Sequence, residues 1–138
     1  MRADGVQGGS MVYVHVIIGI ALVEFLYFGF AVAKARGKYG VKAPATTGNE
    51  VFERYFRVQM NTLEQLIVFI PSIVLFGWYI EPRVAAIAGL FFVIGRAWYF
   101  AQYVRDPGAR TAPFMLSALA LLFLLLGGLG GAALTLLK

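Results

Sequence analysis

Arg57, Asn61 and Glu64 lie at i, i+4 and i+7 within residues 53–65, Glu-Arg-Tyr-Phe-Arg-Val-Gln-Met-Asn-Thr-Leu-Glu-Gln. In a helix this spacing stacks a guanidinium, an amide and a carboxylate on one face. A second set follows further along the chain: Tyr99 and Tyr103 share a face at i, i+4, and Arg96 precedes Tyr99 by three residues. Together the two sets offer fixed cations, an amide, a carboxylate and two phenols. Arginines fork onto carboxylates, a glutamate takes an ammonium, and an asparagine pairs with an amide. The combination suits a small zwitterion with two carboxylates, one amine and a peptide backbone. The plainer reading of the first set is glue between helices, and of the aromatic pair taken alone it is packing or an interfacial belt.

The elements that must position these residues are strongly apolar. The chain has 138 residues, 60% hydrophobic and 14% charged, against about 25% charged in soluble domains. A soluble helical bundle would need polar faces that this composition cannot supply, so the chain reads as one integral membrane domain. Residues 66–80 carry no charge, but as a helix they reach only about 22 Å, short of a hydrocarbon core of about 30 Å. A crossing there must borrow residues upstream, which places Asn61 and Glu64 inside the bilayer and Arg57 at its edge. Ionisable groups at such depth face a partner or a wet cavity.

Four spans are expected. Residues 11–33 contain only His15 and Glu24 as ionisable groups. Residues 50–79 follow, with Pro71 expected to bend the helix; then come residues 84–104 and the charge-free residues 112–137. The expected fold class is all-α, an integral membrane four-helix bundle of up-down topology, forming a single domain over residues 11–138. Residues 1–10 are polar and glycine-rich, and read as a remnant or disordered segment ahead of Met11. Gly127, Gly128, Gly130 and Gly131 either allow close helix packing or mark a frayed end.

The connections carry the charge. Residues 34–49 hold Lys34, Arg36, Lys38 and Lys42, and are expected to form a loop because Gly37, Gly40, Pro44 and Gly48 break helix. Residues 105–110 hold Arg105 and Arg110, whereas Glu81-Pro82-Arg83 makes a tight turn with almost no net charge. Basic loops favour the cytoplasm, which puts both termini on the opposite side. Counting back from Pro82, Glu64 lies about 24 Å away and Arg96 about 20 Å, so the two polar sets meet at one depth near the cytoplasmic face. The net charge of +5 is accounted for by loops facing anionic lipid, with no nucleic acid required.

Other chemistry is narrowed by composition. With no cysteine there is no disulfide, no thiolate metal site and no protein thiol nucleophile. The lone His15 cannot form a His-rich centre, and no metal site is expected. Glu24, near the middle of the first span, is either a proton or cation site or a structural carboxylate. The former would suit a small four-span multidrug transporter, the alternative to a ligand-binding enzyme.

The run Phe52-Glu53-Arg54-Tyr55-Phe56-Arg57-Val58-Gln59-Met60-Asn61-Thr62-Leu63-Glu64 resembles the signature of the MAPEG family, the membrane-associated proteins in eicosanoid and glutathione metabolism. The similarity includes Pro44-Ala45-Thr46-Thr47-Gly48, the stretch Gly95-Arg96-Ala97-Trp98-Tyr99-Phe100-Ala101-Gln102-Tyr103-Val104-Arg105, and Arg110. The resemblance implies a homotrimer of four-helix protomers that holds glutathione, as cosubstrate, between adjacent protomers near the cytoplasmic side. It implies that Arg57, Asn61 and Glu64 of the second helix and Tyr99 and Tyr103 of the third contact glutathione. Arg36 and Gln59 would reach it from the neighbouring protomer, and Arg110 would stabilise the thiolate. Gln65 stands where the leukotriene-forming branch has a tyrosine, and Gly37 where it has a second arginine. Both departures favour a general glutathione transferase or peroxidase. Its electrophile or hydroperoxide would be lipophilic and would arrive through the membrane.

Overall fold

The computed structural model describes residues 3–138, and the side chains of residues 10–138. Four long helices account for most of it: α1 Ala3–Tyr39, α2 Glu50–Tyr79, α3 Pro82–Arg105 and α4 Thr111–Leu136, with a short 3₁₀ turn at Pro107–Arg110 before α4. Each is long and apolar enough to cross a membrane. Large apolar side chains such as Phe30, Val23, Trp78 and Leu126 are left more than 60% exposed, a surface that lipid, not water, would cover. The reading of residues 1–10 as a remnant rests mostly on residues outside those whose side chains are described; the backbone from Ala3 continues α1.

The helix ends are set by local chemistry. α1 continues six residues beyond the expected end of the first span, so Lys34, Arg36 and Lys38 ride on its last turns instead of in a loop. Gly37 is tolerated within the helix, and basic side chains complement the carbonyl end of the helix dipole. The stop comes at Gly40, whose φ of 68° lets Val41 donate its N–H back to the Arg36 carbonyl at 3.1 Å, the glycine-terminated helix end of a Schellman motif. Asn49 opens α2 by accepting from the N–H groups of Val51 and Phe52, both at 3.0 Å. α2 runs through Pro71 without interruption. Glu81 caps α3 by accepting from Val84 N–H at 2.7 Å, with Pro82 in the first helical position. That device starts α3 two residues ahead of the expected span.

Glycines and rings hold the bundle away from the charged end. A Cβ on Gly89 would lie 2.5 Å from Ile73 and 2.7 Å from Ile17, and one on Gly77 would lie 2.9 Å from Val14. α4 approaches α2 through Gly127, Gly128 and Gly131; a Cβ at Gly128 would stand 2.8 Å from the Phe76 backbone nitrogen, whereas Gly130 faces open space. Of the two readings of that glycine run, close packing describes three positions. Phe69 and Phe92 stack at 3.9 Å in the fully buried centre. The pairs Thr62–Arg96, Phe69–Phe92 and Ile73–Gly89 rise along α2 as they fall along α3, which sets the register that brings the two polar sets level.

Candidate functional site

At the charged end, α2, α3 and the start of α4 enclose a cleft of about 310 Å³ lined by Arg57, Asn61, Tyr99, Tyr103, Arg110, Thr111 and Phe114. α2 contributes Arg57 and Asn61 from successive turns of one face. α3 contributes the stacked pair Tyr99 and Tyr103, with centroids 5.3 Å apart. The joint between α3 and α4 contributes Arg110. Asp106 accepts from Gly108 N–H at 2.9 Å and opens the 3₁₀ turn, which delivers Arg110 to the cleft with its Cζ 5.9 Å from the Tyr103 ring. Gly95 lets α3 lie against α4 at Ser117, so the tyrosine wall and the arginine joint are built on one close contact.

One of the residues lining the cleft carries an unmet hydrogen-bond acceptor. Asn61 Oδ1 is buried without a partner, as is Gln65 Oε1 one turn further along α2. Such atoms are costly unless a donor reaches them. Arg57 and Glu64 face each other at 3.8 Å, each about half exposed. Opposite charges that remain accessible are free to exchange each other for a carboxylate and an ammonium.

Five of the eight site residues expected from sequence therefore line one cleft. Glu64 stands beside it, paired with Arg57. Arg36 and Gln59 lie elsewhere on the chain. Arg36 donates to the carbonyls of Ala45 at 2.7 Å and Val41 at 3.3 Å, and its guanidinium lies 4.7 Å from the centre of the Phe52 ring. Gln59 packs toward Gly29 of α1, where a Cβ would come within 3.2 Å of its Nε2. Sequence reasoning missed Thr111 and Phe114, for which adjacency to Arg110 was the available signal, and the partner of Arg96, Thr62 next to Asn61. It also missed Arg54, which donates to the carbonyls of Val104 and Arg105 at 3.3 and 3.2 Å and so ties the end of α3 to α2. Among the described residues no group of acidic, histidine or cysteine side chains has the makings of a metal site.

A four-span helical membrane protein with a polar cleft near one end of the bundle is the class that fold and site define. The chain belongs to the MAPEG family, whose model matches residues 14–130, and is an integral, multi-pass membrane protein. It is 37% identical over 125 residues to microsomal glutathione S-transferase 2 of Homo sapiens, covering 90% of this chain and 85% of that protein. It is 39% identical over 109 residues to leukotriene C4 synthase of Cavia porcellus, covering 79% of this chain and 71% of the relative. An uncharacterized protein of Synechocystis sp. is 44% identical over 113 residues, 82% of each chain.

Proposed function

We propose that the protein is a membrane-bound glutathione transferase that conjugates glutathione to lipophilic electrophiles. The observation that carries this reading is the convergence of Arg57, Asn61, Tyr99, Tyr103 and Arg110 on one cleft. The relatives named for glutathione transfer and leukotriene C4 synthesis support it. In this reading the four helices run up and down, both termini lie outside, and the cleft opens toward the cytoplasm. Three protomers assemble so that Arg36 and Gln59 of one complete the cleft of the next. Arg57 and Glu64 then bind the charged ends of the tripeptide, Asn61 accepts from one of its amides, and the tyrosines wall the sulfur.

A free thiol has a pKa of about 8.5, so only a few per cent is anionic at neutral pH. Arg110 favours the anion. The thiolate attacks the electrophilic carbon, a sulfur–carbon bond forms, and the leaving group departs with its electron pair. With a hydroperoxide the same thiolate attacks oxygen, and a second glutathione completes the turnover to disulfide, alcohol and water. The absence of cysteine fits a reaction whose sulfur comes from the cosubstrate.

The test is titration of the purified protein with glutathione, following the ultraviolet band of the thiolate, together with turnover of chlorodinitrobenzene. A saturable band and release of chloride are expected. Neither band nor conjugate in a folded protein would refute the assignment.

A further inference from the structure

Among the described residues the largest fully buried side chain is a charged one, Arg96, with 0% of its surface exposed. It stands within a membrane-spanning helix, where a charge persists only when its surroundings compensate it. That compensation is one-sided. Nε and Nη2 both donate to the Thr62 hydroxyl oxygen, at 3.2 and 2.8 Å, and Nη1 has no partner. The guanidinium carbon lies 4.2 Å from the centre of the Tyr99 ring, within cation–π range. No ion pair joins Arg96 to a carboxylate; among the described residues the one ion pair is Arg57–Glu64. A residue kept for stability alone would be better served by an apolar side chain of the same length.

Of the two groups that Arg96 grips, one lines the cleft and the other adjoins a residue that does. Tyr99 is part of its wall, and Thr62 adjoins Asn61, the buried acceptor on the opposite wall. Thr62 is itself oriented, because its hydroxyl donates to the Val58 carbonyl at 2.8 Å. That leaves the oxygen lone pairs for the guanidinium. From α2 to α3 the chain of contacts runs from the Val58 carbonyl to the Thr62 hydroxyl, then to the guanidinium, and ends on the Tyr99 face. We infer that Arg96 is a positioning residue, which sets the separation of Asn61 and Tyr99 across the cleft from behind while touching neither substrate nor thiolate. The inference rests on the glutathione reading and specifies which buried contact tunes affinity in that site.

Five variants test it, with wild type as the reference for glutathione binding itself. Arg96→Met keeps the volume and removes the charge. It should raise the glutathione KM and the dissociation constant about tenfold or more, with kcat at saturating glutathione within about threefold. The pH dependence of the thiolate band should stay in place, because Arg110 is untouched. Arg96→Lys should be intermediate, since an ammonium cannot place two nitrogens on Thr62 and also cover the ring. Thr62→Val should weaken glutathione binding in the same manner, Thr62→Ser should retain it, and Arg96→Met with Thr62→Val should be no worse than Arg96→Met alone.

Unchanged affinity in Arg96→Met would overturn the inference and leave Arg96 as packing. A displaced thiolate titration with an unchanged KM would also overturn it, by assigning Arg96 to the reacting sulfur directly. If Arg96→Met does not fold, the contrast between Thr62→Val and Thr62→Ser decides the matter by the same measurements. Wild type that binds no glutathione would instead sink the assignment of the cleft, a separately visible result.

Discussion

Replacement of Arg110 by alanine is the most direct probe of the chemistry. Arg110 is exposed, makes no capping bond to the α4 N-terminus, and reaches over the mouth of the cleft to within 5.9 Å of the Tyr103 ring. A thiolate resting by the phenols would lie near the guanidinium. Unit charges about 4 Å apart attract by about 4 kcal/mol at an effective dielectric near 20. Exposure screens part of that, so the expected loss in Arg110→Ala is about 1.4–4 kcal/mol, or about 10- to 1000-fold in turnover.

The sign of the pH dependence follows. Without the cation the bound thiol holds its proton to higher pH, so the thiolate band and the rate both move upward in pH. Alkaline conditions should restore part of the activity. Glutathione affinity should fall much less, because Arg57, Asn61 and the tyrosines still line the cleft. Arg110→Lys should keep more activity than alanine, since a point charge still favours the anion. The assays are stopped-flow turnover and ultraviolet titration across pH. A folded Arg110→Ala protein with an unmoved band and full turnover would refute the argument and turn attention to Arg36.

Other expectations test assembly and topology. Arg36→Ala and Arg57→Ala should each be poorly active and should partly complement one another when co-assembled, as measured by turnover of mixed oligomers; no gain on mixing would count against a shared site. A cysteine placed at Lys42 should be protected from an impermeant thiol reagent in intact cells, and one at Pro82 should react; the reverse labelling would invert the orientation. Gly128→Leu should lower the thermal midpoint in detergent, since even a Cβ there meets the Phe76 backbone at 2.8 Å and overpacking costs about 1–3 kcal/mol. Gly130→Ala, facing open space, serves as the neutral control.

Much of this was legible in the sequence because membranes impose simple rules. Runs of uncharged residues located the four helices, and their ends fell within a few residues of expectation except at α1. There Arg36 and Lys38 look like loop residues, yet nothing in a basic, glycine-containing stretch forces a helix to stop before the left-handed turn at Gly40. The cleft was legible where its residues repeat along one face, as Arg57 and Asn61 do on α2 and Tyr99 and Tyr103 on α3. It was not legible where three dimensions decide the partner. Thr62 looks like any small polar helix residue until Arg96 is found upon it. Arg54 resembles a solvated charge until the last carbonyls of α3 arrive beside it. Whether Arg36 leaves its own loop carbonyls for a neighbour depends on a second chain, which periodicity cannot supply.

The two ends of this bundle are fastened by different materials. At the charged end, three guanidinium groups do the fastening: Arg36 on loop carbonyls, Arg54 on the last carbonyls of α3, Arg96 on Thr62. At the other end, ring faces and bare glycine backbones close the gap. The ends should therefore fail under different stresses. Guanidinium chloride offers free copies of the same fastener and would loosen the cleft end first, while bulky detergent wedged between helices would part the glycine end and leave the cleft standing.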